Sequence, residues 1–335
     1  MAAKIGINGF GRMGRLFMRA GWGNENLEIT HINDPGGEVE SFAHLMNFDS
    51  VHGRWEFEAN ANREHLEIDG KTVSCSHHQE VDATDWSNCD IVVEASGQIK
   101  KTAFLQGFIR QGVDRVVATC PIKEDGVLNV VMGVNHLDYD ASQHTIVTAS
   151  SCTTNCLAPV VKVLQENLGI RHGSMTTIHS VTNTQRIVDR HHSDLRRART
   201  SGDSLIPTTT GSARAITDIF PELKGRLNGH AIRIPLANAS LTDCVFELET
   251  STTVEEVNAL FKDASERTLA GILGYEERPL VSIDYKTDSR SGIVDALSTI
   301  VVNGTQLKVY VWYDNEWGYS NRVVDLVNLI TKFPS

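Results

Sequence analysis

The sequence predicts an α/β chain in two parts: a parallel, twisted sheet flanked by helices, then an α+β part built on a mainly antiparallel sheet. Three observations carry this. At 335 residues the chain exceeds what one hydrophobic core usually organises. Between Lys4 and Ala149, short β-branched stretches alternate with helical or irregular segments, the rhythm of β-α-β units. Beyond Pro159 the strand candidates lengthen, which suits antiparallel pairing.

In chain order, the first part offers "KIGI", "LEITHIN", "DIVVEAS", "RVVAT" and "TIVTA" as strands, with an amphipathic helix from about Thr102 to Gln111. The second part offers the strands "GSMTTIHSV", "DCVFELET" and "LKVYVWYD". At the end, "SNRVVDLVNLITKF" puts Val323, Leu326, Val327 and Ile330 at helical spacing, so the chain should close as an amphipathic helix.

With 41% apolar and 22% charged residues the composition is that of a soluble globular protein, and no apolar run approaches the roughly 18 residues of a membrane span. The start, "MAAKIGINGF", carries no export pattern, so a cytoplasmic location and no membrane partner are expected. A formal charge of -11 argues against nucleic acid as a partner, because phosphate backbones select cationic faces. One basic stretch stands apart: Arg186, Arg190, Arg196, Arg197 and Arg199 with His191 and His192, offset by Asp189 and Asp194. It reads either as a mixed-charge surface loop or as a phosphate site or subunit contact. Six cysteines in a long chain without an export pattern argue against a disulfide scaffold. With neither C-x-x-C nor H-E-x-x-H in the sequence, no metal site is expected.

"KIGINGFGRMGRL" contains Gly9-x-Gly11-x-x-Gly14 directly after an apolar strand and before a helix candidate. Such a turn lets the backbone approach a pyrophosphate, and the following helix start offers N–H groups and partial positive charge. The next strand ends at Asp34, where a carboxylate would accept from ribose hydroxyls and repel a 2′-phosphate. The expected cofactor is therefore NAD, bound by a Rossmann-type domain. Further on, "ASSCTTNCLAPVVKVL" places Cys152 in the first turn of a helix capped by Ser151. There the helix dipole should lower the thiol pKa toward neutrality and the N–H groups could bind an oxyanion. Cys156, one turn on, should be buried and inert. A thiolate nucleophile needs a base, and His179 ends a strand candidate, although spacing alone does not pair it with Cys152.

Together, "INGFGRMGR", "SSCTTNCLAP", "DLRRAR", "IPTTTG", "PELKGRLNG" and "WYDNEWGYSNR" resemble the phosphorylating glyceraldehyde-3-phosphate dehydrogenases, in order from Lys4 to about Leu329. The resemblance implies an NAD-binding domain of residues 1–150 completed by a C-terminal helix at 317–335, a catalytic domain at 151–316, and a homotetramer. It makes Cys152 the nucleophile and His179 the base. It puts Arg12, Met13, Asp34, Thr119 and Asn315 beside the cofactor, with Gly9, Gly11 and Gly14 in the turn. Ser151, Thr153, Thr182, Arg197, Thr210, Gly211 and Arg233 fall where the phosphate of the aldehyde substrate and inorganic phosphate are held. The basic stretch resembles the loop that lines a neighbouring subunit's cofactor pocket. The implied reaction is NAD-dependent oxidation of glyceraldehyde 3-phosphate to 1,3-bisphosphoglycerate through a cysteine thioester.

Three features depart from the family pattern. Val181 stands two residues beyond His179 where a Tyr is common, "HHQEVDATDW" replaces an "ERD" motif, and "VDRHHSD" puts Arg190 and His191 where Leu-Pro discourages NADP. Erythrose-4-phosphate dehydrogenase is the alternative activity, but Thr210 and Gly211 of "IPTTTG" favour a phosphorylating enzyme. "INDPGG", "FDSVHGRW" and "GYEERPLVSIDY" look more like a subgroup associated with arsenate resistance, in which arsenate takes the place of phosphate.

Overall fold

The computed structural model of the protein describes residues 2–333. The chain forms two compact units, one running to Ser151 and resuming at Ser320, the other spanning Cys152–Tyr319.

The first unit is built on a nine-stranded sheet. From one edge its strands are Leu128–Asn129, Ile146–Thr148, Arg115–Ala118, Ile91–Glu94, Ala3–Asn8, Leu27–Asn33 and Lys71–Ser76, all parallel, followed by His65–Ile68 and Ala59–Asn62, which are antiparallel. The expected strands and the helix Thr102–Arg110 are present. The meander at the far edge is an addition that the alternation did not foretell. Val92, Val116 and Ile146 of the sheet pack with Leu105 and Phe108 of that helix and with Trp86 into one buried core. A parallel sheet covered by helices buries both faces, which is why its strands read as continuous β-branched runs.

The second unit carries a seven-stranded mixed sheet in the order Ile206–Thr209, Leu227–Arg233, Ile170–His179, Ser240–Leu248, Gln306–Tyr313, Gly292–Val302 and Leu273–Glu276. Four of its neighbour pairs are antiparallel, while Ile170–His179 with Leu227–Arg233 and Leu273–Glu276 with Gly292–Val302 run parallel. The helix Cys152–Asn167 lies against this sheet and is buried along most of its length, including Cys156, Leu157, Val160, Val161 and Leu164. Its apolar stripe thus serves as core, and only its beginning is left for chemistry. Residues 317–330 form the closing helix, with Val323, Leu326, Val327 and Ile330 buried.

Candidate active site

The register of the second sheet creates the main cluster. Ile170–His179 and Leu227–Arg233 run parallel with His179 opposite Arg233, so an imidazole and a guanidinium meet where both strands end. Arg233 Nη1 lies 2.6 Å from His179 Nδ1 and 3.3 Å from the Ser180 carbonyl, while His179 Nδ1 is 2.7 Å from that same carbonyl. On the other side of the ring, Nε2 is 3.6 Å from Cys152 Sγ, at the first residue of the helix Cys152–Asn167. The structure therefore joins three residues that sequence spacing could not connect.

The electrostatics correct one expectation. Burial pushes the Cys152 thiol up, against the lowering pull of the Arg233 guanidinium and of the Thr153 hydroxyl and N–H. The anticipated lowering toward neutrality is thus reversed, because desolvation of the thiolate outweighs the favourable donors. Burial and then Arg233 push His179 down to about 3, so the ring is neutral near pH 7 and does not pair with Cys152 as an imidazolium. Nδ1 stands between a group that can only donate, the Arg233 guanidinium, and one that can only accept, the Ser180 carbonyl, so the tautomer follows whichever of the two it bonds. Cys156 differs sharply: it is fully buried, its Sγ lies 3.6 Å from Thr242 Oγ1, and burial lifts its thiol to about 12.

Other expected residues surround this cluster or lie along neighbouring elements. Thr153 Oγ1 is 2.9 Å from the Tyr313 hydroxyl, which is 2.7 Å from Thr177 Oγ1. Arg197 Nε donates to Thr208 Oγ1 at 2.7 Å and pairs with Asp194 at 3.5 Å, which holds it against the strand that precedes Thr210 and Gly211. Arg233 feels the Arg197 charge, which together with the larger effect of burial lowers its own pKa. Two cations held within electrostatic reach of one another favour an anion between them. Thr210 Oγ1 accepts from Ser212 N–H at 3.2 Å at the start of the helix Ser212–Ile219. The Thr182 N–H and hydroxyl both donate to Gln185 Oε1, at 2.8 and 2.9 Å. Ser151 directly precedes the Cys152 helix and belongs to the first unit.

In the first unit, Gly9 has φ +95°, and a Cβ there would collide with the backbone of Ser96; at Gly14 it would collide with the Gly9 carbonyl. The turn is closed to any larger residue at both positions. Gly11, at the N-cap of the helix Arg12–Gly21, has no side chain to cap it, and a helix start of this kind suits a ligand anion. The Asp34 carboxylate accepts from Phe10 N–H at 2.5 Å and Gly36 N–H at 2.7 Å, one bond to each oxygen. Each oxygen keeps a lone pair for a hydroxyl donor. Arg12 is ion-paired with Asp49. Burial pushes Asp49 up, but the His52 N–H, the Arg12 guanidinium and the Val51 N–H outweigh it and hold the carboxyl at about 2. Thr119 N–H donates to the Glu94 carbonyl at 2.9 Å at the end of its strand, two strands from Gly9.

Comparison with known proteins decides the family. Residues 3–102 match the model described as "Glyceraldehyde 3-phosphate dehydrogenase, NAD binding domain", and residues 151–315 match "Glyceraldehyde 3-phosphate dehydrogenase, C-terminal domain". Glyceraldehyde-3-phosphate dehydrogenase 3 of Nostoc sp. is 58% identical over 333 residues, covering 98% of both chains. Glyceraldehyde-3-phosphate dehydrogenase 1 of Bacillus cereus is 49% identical over 330 residues, again with 98% of both covered, and its Bacillus subtilis namesake is 47% identical over 334 residues and 99% of both. The chain belongs to the glyceraldehyde-3-phosphate dehydrogenase family. Its cofactor is NAD, and the narrow turn at Gly9, the helix start behind Gly11 and the half-used Asp34 carboxylate fit a dinucleotide.

Several residues in contact with the expected site residues of this dehydrogenase escaped the sequence. Asp49 was visible only as part of "FDSVHG", where an Asp followed by turn residues signals a local cap, not a partner for Arg12. Tyr313 lay inside the quoted "WYDNEWGYSNR" but carried no role. Ser180 and Ser240 offered no signal, since their meeting depends on the pairing of distant strands.

Proposed function

We propose that the protein oxidises glyceraldehyde 3-phosphate with NAD and inorganic phosphate, giving 1,3-bisphosphoglycerate through a thioester on Cys152. The observation that carries this reading is the 3.6 Å approach of Cys152 Sγ to His179 Nε2, with Arg233 on the far side of the ring. A nucleophile, a base and a cation for phosphate stand in one row.

Cys152 Sγ bonds to the aldehyde carbon, while Nε2 takes the thiol proton and returns it to the developing oxyanion. The N–H groups at the helix start support that oxygen. For Nε2 to accept, the ring proton must stand on Nδ1, where the Ser180 carbonyl receives it at 2.7 Å. The substrate's phosphate favours that tautomer, since a dianion competes with Nδ1 for Arg233. NAD supplies the hydride acceptor. As the hydride leaves carbon, Nε2 takes the hydroxyl proton and a thioester remains. A phosphate oxygen then attacks the thioester carbon, the C–S bond breaks, and sulfur regains the proton.

In this reading Gly9, Gly11, Arg12, Met13, Gly14, Asp34, Thr119 and Asn315 hold the cofactor. Ser151, Thr153, Thr182, Arg197, Thr210, Gly211 and Arg233 hold the two phosphates. The chain works in the cytoplasm as a homotetramer. Arsenate can replace phosphate in the attacking step, since the two oxyanions share shape and charge; the stretches "INDPGG" and "FDSVHGRW" support that extension.

The test is NADH formation by purified protein with glyceraldehyde 3-phosphate, in phosphate and in arsenate side by side. Turnover in phosphate is expected. Absorbance that rises with erythrose 4-phosphate but not with glyceraldehyde 3-phosphate would replace the substrate, and turnover by Cys152→Ser would sink the mechanism.

A further inference from the structure

Asn315 is nearly buried, and the fold treats the two ends of its carboxamide differently. Oδ1 accepts from Ser180 Oγ at 2.8 Å and from Ser240 Oγ at 2.9 Å. Nδ2 has no partner among the described residues. A carboxamide oxygen has two lone pairs, and both are used. Ser240 Oγ also accepts from the Ser180 N–H at 3.1 Å, so toward Asn315 it offers its proton. Ser180 and Ser240 are 0% and 1% exposed. Rotating the amide by half a turn would strand two buried hydroxyl protons without acceptors, an arrangement folded chains avoid. The amide therefore has one orientation, with Nδ2 as the outward donor.

We propose that Ser180 and Ser240 are positioning residues that lock the Asn315 carboxamide so that Nδ2 reads the carbonyl oxygen of the cofactor's nicotinamide carboxamide. The inference rests on the assignment of Asn315 to the cofactor site made above. The nicotinamide is the end of the dinucleotide that must come within hydride reach of the carbon bonded to Cys152, and Ser180 adjoins His179, the base for that same carbon. Ser180 serves twice. Its carbonyl lies against His179 Nδ1, and its hydroxyl holds Asn315. One residue thus sets the direction of the base and of the amide that orients the ring, and a fixed donor selects one rotamer of the ring's carboxamide.

The test compares the affinity of the full-length protein for NAD and for ADP-ribose, which lacks the nicotinamide, by calorimetry without turnover. Ser180→Ala and Ser240→Ala are each expected to weaken NAD about threefold and the double variant about tenfold, with ADP-ribose unchanged within about twofold. Asn315→Ala is the reference and should erase the preference for NAD over ADP-ribose. If the double variant keeps that preference while Asn315→Ala loses it, the serine lock is wrong and the cofactor role of Asn315 stands. If Asn315→Ala also keeps it, the role of Asn315 is wrong and the lock falls with it. Equal weakening of both ligands overturns the proposal as well, because it reports a general disturbance. Should the double variant fail to fold, the single variants carry the same comparison at smaller amplitude.

Discussion

His179 Nδ1 faces one group that can only donate, Arg233, and one that can only accept, the Ser180 carbonyl. The Arg233 charge acts on both partners of the proposed chemistry. It is the foremost pull lowering the Cys152 thiol, and after burial it is the next force pushing His179 down. Arg233→Gln should therefore raise the Cys152 pKa further and slow its alkylation by iodoacetamide at pH 7 several-fold, with the pH–rate midpoint moving up. Cys156 should stay unlabelled in both proteins. Peptide mapping after brief alkylation reads both outcomes, and unchanged or faster labelling of Cys152 would show that the guanidinium does not govern the thiol. A second consequence concerns stability. His179 has its pKa lowered from 6.5 to about 3, so the unfolded chain takes up a proton in this window while the folded chain does not. The associated stability is full above pH 6.5 and is lost as pH falls toward about 3, at about 1.4 kcal/mol per pH unit. Urea unfolding at pH 7 and pH 5 should show a shallower loss for His179→Asn than for the wild type. An identical slope would mean that His179 is not buried neutral.

At the scale of elements, legibility followed the range of the interactions involved. Parallel strands announced themselves because burial on both faces leaves β-branched runs, and the Cys152 helix did so through its apolar stripe. The mixed second sheet was legible in its longest strands, whereas Leu227–Arg233 and Ile206–Thr209 mix polar and apolar residues without a continuous apolar run, so the pairing that joins His179 to Arg233 stayed hidden. The depth of burial around Cys152 was equally hidden, since periodicity places a residue on a helix and not in a dielectric. One element was readable and passed over: "EIDGKT" joins His65–Ile68 to Lys71–Ser76 through Asp69 and Gly70, with φ of 49° and 73°. Two positive φ values in a two-residue loop make a type I′ hairpin, for which Asp-Gly is a strong signal. Gly70→Ala should therefore destabilise the protein by about 1 kcal/mol, since a Cβ is disfavoured in that region of φ. Chemical denaturation measures it, and Cys152 alkylation should be unaffected. A neutral or stabilising effect would contradict the turn type.

For the whole molecule, the surface of the second unit bears on the proposed assembly. Residues 186–201 fold back on themselves through the Arg199–Asp189 pair at 2.8 Å and the bond from Arg190 N–H to the Ala198 carbonyl at 2.9 Å. That loop nevertheless turns its aliphatic side chains outward: Ile187 is 86% exposed and Leu195 81%. Leu205, Val281, Ile283 and Leu297 of the same unit are exposed as well. Scattered apolar residues are ordinary on a surface, but a loop tied to itself by an ion pair and a backbone bond while showing its aliphatic residues is suited to a protein neighbour. This agrees with the homotetramer proposed above, in which the loop faces another subunit. Charge placed there should oppose assembly, because an unpaired carboxylate in a closed interface costs more than one at its rim. The double variant Ile187→Asp with Leu195→Asp is expected to sediment as species smaller than the wild-type assembly, at equal concentration and salt. Its thermal unfolding should become more dependent on protein concentration, since association stabilises the folded chain by mass action. Labelling of Cys152 should persist, as the Cys152, His179 and Arg233 cluster lies within one chain. A wild type that sediments as a single chain would overturn the tetramer, and a variant that stays fully assembled would move the interface away from this loop.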